Sequence, residues 1–403
     1  MKINSLKKSD LAVFGGDPVR QQKLPYGRQS VDEADIQSVV DVLRSGWLTT
    51  GPMVSEFEQK FSNMVGSQEA VALSSGTAAL HAAMYAIGIQ PGDEVIIPSM
   101  TFAASANCVL FLGGKPVFID IDLETFLIDS QKIEAKITPR TKAIIAIDFA
   151  GQPCDYEALS SIAKRHKLYL ISDACHSLGG KYQGRPVGSL ADLNAFSFHP
   201  VKPITTGEGG MVTTNNPEWA KRMRLFRNHG ISTDVRQREH NKIWFYEMVD
   251  LGFNYRLSDI QCALGLSQLK KLPGWIQKRN DIAKKYHDVF SKMKNIRPLK
   301  VRSDVLHAYH LYVVEFNLSE LTGSREDIYK ALIAEGIGVN VHYIPVHLHP
   351  FYQKFLKTRR GLCPVAEEAY ERILSLPMFP SMADRDVKDV IIAVEKVLGF
   401  YQK

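Results

Sequence analysis

The stretch Ala195-Phe196-Ser197-Phe198-His199-Pro200-Val201-Lys202-Pro203-Ile204-Thr205-Thr206-Gly207-Glu208-Gly209-Gly210 decides the fold. Residues 194–198 alternate as a strand does, and a single lysine, Lys202, follows between this apolar strand and a glycine-rich turn. Little in these surroundings solvates an ammonium group, and a desolvated lysine loses affinity for its proton. The neutral amine is then a nucleophile that can form a Schiff base with an aldehyde. The alternative is a loop lysine whose charge stays in water.

Two upstream motifs supply what pyridoxal phosphate (PLP) chemistry needs besides a lysine. Residues 169–173 are typical of a buried strand, and this strand ends at Asp173, 29 residues before Lys202. A carboxylate there would keep the pyridine nitrogen of PLP protonated, so that the ring can accept electrons. Residues 74–80 (SSGTAAL) form a turn of small residues that opens a helix. The free N–H groups and the dipole of a helix N-terminus favour an anion such as the cofactor phosphate.

The order of the three motifs SSGTAAL, SDACH (172–176) and SFHPVKPITTGEGG (197–210) resembles that of the DegT/StrS family of sugar aminotransferases, which are fold-type I PLP enzymes. The resemblance extends from about Tyr26 to the C-terminus. It implies a PLP-dependent transaminase in which Lys202 and Asp173 are catalytic. The segments FSFHPVKPITT, LGFNYRLSDIQCALGLSQLKKL and VNVHYIP are most similar to the members of pseudaminic acid biosynthesis. This narrower likeness implies that glutamate donates an amino group to C4 of a UDP-linked 4-keto-6-deoxy-N-acetylhexosamine.

The resemblance also implies which further residues bind the cofactor. They are the phosphate-turn residues Ser75, Gly76 and Thr77, Phe102 stacked on the ring, His176 at the phenolic oxygen, Ser197 at the phosphate, and Asn254, which reaches the phosphate held by a partner chain. Simpler interpretations stay open for four of them: Phe102 and His176 as core residues, Ser197 as a strand residue and Asn254 as a turn residue. If Asn254 acts as implied, the protein is a homodimer whose active sites are shared between chains.

Two segments are expected to form the substrate pocket by the same resemblance. One is Tyr26 together with Gly46, Trp47, Leu48 and Thr49, and the other is His342, Tyr343, Ile344 and Pro345. Simple packing of Trp47 is the alternative, and Trp47 and residues 346–350 (VHLHP) depart from the pattern of the pseudaminic acid enzymes. His347 and His349 have no third ligand at a useful spacing, so no metal site is expected.

The order of elements predicts the fold class. Strands alternate with helices from residue 70 to residue 198, which indicates an α/β fold with a mostly parallel central sheet covered by helices on both faces. Pro273-Gly274 is expected to break a helix there and to divide a large PLP-binding domain, 1–273, from a small α+β domain, 274–403. Helix 130–136 and strand 339–342 are predicted as well. Residues 221–250 show weak periodicity, and a mobile loop is expected near 233–241.

Bulk properties exclude several classes of protein. The 403 residues are 45% hydrophobic and 23% charged, with a formal net charge of +6. Lysine and arginine are scattered instead of forming a stripe, which argues against nucleic acid as a partner. Five cysteines at wide, irregular spacings indicate free thiols in a reducing compartment. No apolar run reaches the ~18 residues of a membrane span. A soluble, cytoplasmic protein without a membrane partner is therefore expected.

Three alternatives to the main interpretation remain. A sugar 3-dehydratase of the same fold would carry histidine in place of Lys202. A non-catalytic binding or regulatory protein could use the fold alone. Within the aminotransferases, the substrate could be another UDP-linked keto sugar, including the precursor of UDP-4-amino-arabinose, or a dTDP- or GDP-linked keto sugar of surface polysaccharide synthesis.

Overall fold

The computed structural model describes residues 10–233 and 242–403. Its strands are β1 (Glu69–Leu73), β2 (Glu94–Pro98), β3 (Lys115–Ile119), β4 (Thr141–Ile147), β5 (Tyr169–Asp173), β6 (Lys181–Tyr182), β7 (Arg185–Pro186), β8 (Leu193–Ser197), β9 (Gly210–Thr214), β10 (Ile296–Pro298), β11 (Val305–Leu306), β12 (Tyr312–Phe316) and β13 (Ile373–Leu376). Its helices are α1 (Glu33–Leu43), α2 (Pro52–Val65), α3 (Gly76–Ala86), α4 (Ala104–Leu110), α5 (Tyr156–His166), α6 (Pro217–Phe226), α7 (Asp259–Phe290), α8 (Arg325–Ala334), α9 (Pro350–Leu356), α10 (Pro364–Arg372) and α11 (Asp384–Tyr401).

Seven strands form the central sheet in the order β1-β9-β8-β5-β4-β2-β3. Strand β9 is antiparallel to both of its neighbours, and the other pairs are parallel. The strands are almost continuously apolar and buried, as a parallel sheet covered on both faces requires. The predicted α/β class with a mostly parallel sheet is confirmed, and the register brings the ends of β5 and β8 to the same edge.

Local sequence signals place the helices that border this sheet. The side chain of Ser258 caps α7 by accepting from the N–H of Gln261, as predicted, and Ser75 and Asp155 cap α3 and α5 in the same way. Two hydrophobic clusters are present. The larger surrounds the central sheet, and the smaller joins the C-terminal half of α7 to β12, α8 and α11.

The expected helix break at Pro273 is wrong, because α7 continues through it for 32 residues. Pro273 itself is exposed, while Leu272 and Ile276 on the other face are buried in the larger cluster. Packing on this face outweighs the single helical hydrogen bond that a proline cannot donate. The division into domains 1–273 and 274–403 stays a prediction, and its boundary lies inside this helix.

Three further local predictions need correction. Residues 130–136 form two short 3₁₀ turns and no α-helix, since the carboxylate of Asp129 bonds the N–H of Gln131 and sets a tight turn. Residues 339–342 are not a strand: Asn340 makes one isolated bridge, and its own side chain accepts from the next N–H. Helix α6 occupies the first part of 221–250, while the loop expected near 233–241 falls almost wholly outside the described residues.

None of the helices in the described parts of the chain combines the length and the apolar character that crossing a membrane requires.

Two glycines of α7 provide a matched test of this packing. A Cβ at Gly274 would meet open space, whereas a Cβ at Gly265 would lie 2.7 Å from Cζ of Phe57. We expect Gly274→Ala to raise the free energy of unfolding by about 1 kcal/mol, because alanine is the better helix former. Gly265→Ala should lower it by about 1–3 kcal/mol through overpacking. Urea denaturation of both variants measures this, and equal effects would contradict the packing described for α7.

Candidate active site

The loop after β8 presents Lys202 by folding back on its own ends. The N–H of Phe198 donates to the carbonyl of Gly209 (2.8 Å), and the N–H of Thr206 donates to the carbonyl of Phe198 (3.0 Å). The hydroxyl of Thr205 donates to the same carbonyl at 3.0 Å. These bonds close a turn whose centre is Lys202, so the lysine is fixed next to the sheet edge.

Burial and charge act on Lys202 in opposite directions. Desolvation lowers the pKa of its ammonium group, and the acidic groups of Cys175 and Asp173 partly oppose this shift. The charge of Lys202 in turn helps to depress the pKa of His176, His310 and His342, which burial lowers first. For His342 the resulting pKa is about 3. Burial therefore favours a neutral, nucleophilic amine, and Asp173 works against it, so the two effects together set how readily Lys202 gives up its proton.

Asp173 ends β5 and is only 8% exposed. Its Oδ2 accepts from Oγ of Ser105 at 2.7 Å, and its Oδ1 accepts from the N–H of Cys175 at 3.2 Å. The register pairs Asp173 with Ala195 of β8, seven residues before Lys202. Asp173 and Lys202 thus leave adjacent parallel strands at the carboxyl edge, where ligands bind in open α/β sheets.

The predicted phosphate turn lies beside this edge. Ser75 caps α3 by accepting from the N–H of Ala78 at 3.0 Å, and the N–H groups of the preceding residues in the first turn have no intrahelical acceptor. A Cβ at Gly76 would lie 2.7 Å from Cβ of Ser197, and a Cβ at Gly210 would lie 2.3 Å from the carbonyl of Ser75. Two glycines therefore allow a close approach of α3, β8 and β9. This forms a cradle for an anion, with Thr77 and Ser197 at its rim.

His176 lies in a buried cluster of rings. Its Nε2 is 3.0 Å from the hydroxyl of Tyr343, and its ring centroid is 4.5 Å from that of His310. Its Nδ1 is buried and has no hydrogen-bond partner among the described residues. The N–H of Tyr343 donates to Sδ of Met100 at 3.3 Å, which ties this segment to the end of β2. Tyr343, predicted to bind substrate, therefore also orients the imidazole of His176.

Phe102 and Tyr26 complete the open side of the site. Phe102 is 60% exposed, and its ring centroid is 6.0 Å from that of Tyr343. A core phenylalanine would be buried, so the exposed ring is consistent with a contact to a ligand. The ring of Tyr26 lies 5.4 Å from that of His342, and its carbonyl accepts from the N–H of Met378. The N–H of Val346 donates to Ser99 at 2.9 Å, which holds Ile344 and Pro345 over the same edge.

Other predicted residues lie near the start of α7. Thr49 forms a backbone bridge with Ser258, and the N–H of Asp259 donates to the carbonyl of Leu48 (3.1 Å). Gly46 and Leu48 are exposed, and Trp47 is half-buried against Gly51. Asn254 is exposed as well and pairs with Asn228 through its backbone.

Sequence reasoning missed two residues of the site. Ser105 and His310 were not singled out, because a serine in a helix and a histidine at a strand start carry no distinctive pattern.

His347 bridges the hydroxyl of Ser99 (2.5 Å) and the carboxylate of Glu367 (2.8 Å), which is a structural arrangement. Among residues 10–233 and 242–403, no group of three or more His, Cys, Asp or Glu side chains is placed to hold a metal ion.

With this geometry in hand, comparison with known proteins identifies the chain. Residues 29–395 match the DegT/DnrJ/EryC1/StrS aminotransferase family. The chain belongs to this family. The spore coat polysaccharide biosynthesis protein SpsC of Bacillus subtilis is 42% identical over 381 residues, which cover 94% of this chain and 98% of SpsC. Membership confirms the resemblance seen in the sequence, and the protein is a sugar aminotransferase of the DegT/DnrJ family.

Solved structures of similar proteins agree with the family assignment. The putative sugar aminotransferase Spr1654 of Streptococcus pneumoniae in its PMP form has a TM-score of 0.87 and 34% identity, covering 93% of this chain and 98% of Spr1654. Helicobacter pylori PseC, an aminotransferase involved in the biosynthesis of pseudoaminic acid, has a TM-score of 0.86 and 34% identity, covering 94% and 99%. These likenesses confirm the predicted fold-type I architecture, and the DegT/DnrJ family uses PLP.

The residues of this chain fit that cofactor. Lys202 would supply the amine for its aldehyde, Asp173 would supply a carboxylate for its ring nitrogen, and the start of α3 with Ser197 would form a cradle for its phosphate. The unpartnered Nδ1 of His176 is a buried polar atom left for a ligand.

Gly76 offers a direct test of the cradle. We expect Gly76→Ala to weaken PLP binding at least about tenfold, because the new Cβ displaces Ser197 and separates α3 from β8. Fluorescence titration of the cofactor-free protein with PLP measures the affinity. Gly274→Ala in α7 is the control and should bind as the unchanged protein does; unchanged affinity of Gly76→Ala would contradict the cradle.

The buried histidines make stability depend on pH. Burial lowers the pKa of His307 to about 3, whereas an unfolded histidine has a pKa of about 6.5. The unfolded state binds more protons than the folded state between these two pKa values. The contribution of His307 to the free energy of unfolding is therefore fully present above about pH 6.5 and is lost as the pH decreases toward 3. We expect His307→Asn, which keeps an acceptor for the N–H of Tyr309, to flatten this fall by on the order of 1 kcal/mol per pH unit. Urea denaturation between pH 7 and pH 4 tests this, with exposed His287→Asn as the unchanged control.

Proposed function

We propose that the protein transfers the amino group of glutamate to C4 of a UDP-linked 4-keto-6-deoxy-N-acetylhexosamine. The observation that carries the proposal is the half-buried, desolvated Lys202 close to Asp173, at the sheet edge where the start of α3 also lies. The likeness to PseC over 94% of the chain supports the sugar named here. The glutamate donor and the sugar itself are part of this proposal.

Each residue has a chemical task in this proposal. PLP, when bound, supplies a ring that stores the electron pair released when a C–H bond breaks. Lys202 would hold the aldehyde carbon of the cofactor between turnovers and, when free, would carry the proton to and from C4 of the sugar. Asp173 would keep the ring nitrogen protonated, and the α3 N-terminus with Ser197 would hold the phosphate. Phe102 would lie against the ring, and His176 would lie near its phenolic oxygen.

The sugar nucleotide would lie over the open side of this site. Tyr26, His342 and Tyr343 already form one wall, joined by ring contacts of 5.4 and 4.9 Å. The carbonyl of Tyr26 accepts from the N–H of Met378, and Nδ1 of His342 lies 2.8 Å from Oγ of Ser375, so both rings are tied to the C-terminal part of the chain. In the proposed complex they select the sugar, while Ile344 and Pro345 limit access of water.

A homodimer would bring the remaining predicted residues to the site. Asn254, Gly46, Leu48 and Thr49 are exposed near the start of α7. The neighbouring segment exposes an unusual number of large apolar side chains, namely Ile243, Trp244, Phe245, Tyr246, Met248, Val249, Leu251 and Phe253. A surface of this kind marks a protein–protein interface. We infer that it is covered by a second copy in the cytoplasm, whose Asn254 completes the phosphate site.

A second candidate is amine transfer to a different nucleotide-linked keto sugar of surface polysaccharide synthesis. It is favoured by the 42% identity to SpsC, a spore coat polysaccharide biosynthesis protein. Lys202 and Asp173 are equally suited to either sugar, so the difference would lie in the wall formed by Tyr26, His342 and Tyr343. A dehydratase is disfavoured by Lys202, and a purely binding protein would not require a buried amine next to a carboxylate.

The reaction is tested with a panel of 4-keto sugar nucleotides. We expect glutamate and the UDP-linked 4-keto-6-deoxy-N-acetylhexosamine to give the amino sugar, with kcat/KM at least about tenfold above dTDP- and GDP-linked keto sugars. Lys202→Ala should lose at least about 10³-fold in kcat, because the amine acts covalently and as the proton carrier. Exposed Lys278→Ala is the matched control and should be unaffected.

Mass spectrometry of the sugar product measures turnover for glutamate with each keto sugar nucleotide of the panel. A preference for another nucleotide would support the second candidate. Turnover by Lys202→Ala at the rate of the unchanged protein would overturn both.

A further inference from the structure

Ser105 connects two parts of the proposed PLP site that lie on different strands. It is the second residue of α4 and is almost fully buried. Its N–H donates to the carbonyl of Phe102 at 3.2 Å, and its Oγ donates to Oδ2 of Asp173 at 2.7 Å. One residue thus joins the loop that carries the exposed ring of Phe102 to the carboxylate at the end of β5.

The direction of the hydrogen bonds around Ser105 follows from their donors. The Oγ of Ser105 also lies 2.8 Å from Oγ1 of Thr101, and either hydroxyl could in principle donate. A carboxylate can only accept, and a hydroxyl has one proton. Ser105 therefore gives its proton to Asp173 and accepts from Thr101. Because Thr101 and Ser105 are 2% and 1% exposed, the chain Thr101–Ser105–Asp173 is shielded from bulk water.

We propose that Ser105 is a positioning residue for Asp173, acting through its hydroxyl on the carboxylate that faces the cofactor ring. Oδ2 is held by Ser105 and Oδ1 by the N–H of Cys175, so the carboxylate plane is fixed from both sides. In the proposed function the carboxylate of Asp173 would hold the proton on the ring nitrogen, so its orientation matters. By fixing that orientation, Ser105 tunes the electron-accepting strength of the site without touching substrate.

The same residue fixes the distance between the two sides of the ring site. Phe102 is three residues before Ser105, and the backbone N–H···O bond between them fixes the position of Phe102 relative to the start of α4. Because this bond joins backbone atoms, a substitution of the Ser105 side chain leaves it in place and acts on Asp173 alone. A substitution at Ser105 should change the absorbance of the bound cofactor, while the wall formed by Tyr26, His342 and Tyr343 should keep its affinity for the sugar.

The experiment compares PLP-loaded Ser105→Ala with the unchanged protein. Loss of one hydrogen bond to a charged group should lower kcat about tenfold and leave both KM values within about twofold. The pH midpoint of the visible absorbance of the bound cofactor, recorded without substrate, should shift by at least about 0.5 unit. Ser105→Thr, which restores the hydroxyl, should return the midpoint. Ser62→Ala removes a buried helix hydroxyl elsewhere, in α2, and should change neither quantity.

Two further variants keep the test decisive. Thr101→Val removes the hydrogen bond to Ser105, one bond further from Asp173, and should shift the midpoint in the same direction by less. This variant also keeps the proposal testable if Ser105→Ala does not fold. Because Asp173 has this role only if the proposed function holds, Asp173→Asn is measured beside them. If Asp173→Asn shifts the midpoint and neither Ser105→Ala nor Thr101→Val does, the role of Ser105 is overturned and the proposed function stands. If Asp173→Asn leaves the absorbance unchanged, the proposed function fails as well.

Discussion

The structure depends on placing one amine and one carboxylate at the same edge of a parallel sheet. Strands β5 and β8 are neighbours, and their register sets Asp173 opposite Ala195, so the chain leaves both strands side by side. Burial disfavours the charged form of Lys202, while Asp173 and Cys175 favour it. The balance keeps the lysine in place and still lets it give up its proton. A lysine on the surface would stay in water and keep its proton.

The neighbouring strands supply what the pair lacks. Gly210 lies opposite both Leu73 and Ser197, so β9 joins the ends of β1 and β8. A side chain at position 210 would collide with the backbone of Ser75, and this close approach is why the start of α3 can point its N–H groups at the lysine loop. The ring contacts of Tyr343 then link the C-terminal part of the chain to His176.

Local features of this fold could be predicted from the sequence, and contacts between distant residues could not. Helix α5 and the cap at Ser258 follow from apolar spacing and from a side chain that bonds its own turn. The course of α7 through Pro273 follows from packing that no local pattern shows. Ser105 and Asp173 are 68 residues apart, and His176 and Tyr343 are 167 apart. Lys202 and Asp173 could be proposed because their chemistry is rare at strand ends, whereas a serine or a tyrosine is not distinctive.

The most direct test of the central claim is to identify the residue that holds PLP. Borohydride reduction of the PLP-loaded protein fixes the cofactor covalently to the amine that carries it, and peptide mapping by mass spectrometry locates the modified residue. The account predicts a single modification, at Lys202. A cofactor fixed to any other lysine, with Lys202 unmodified, would contradict it.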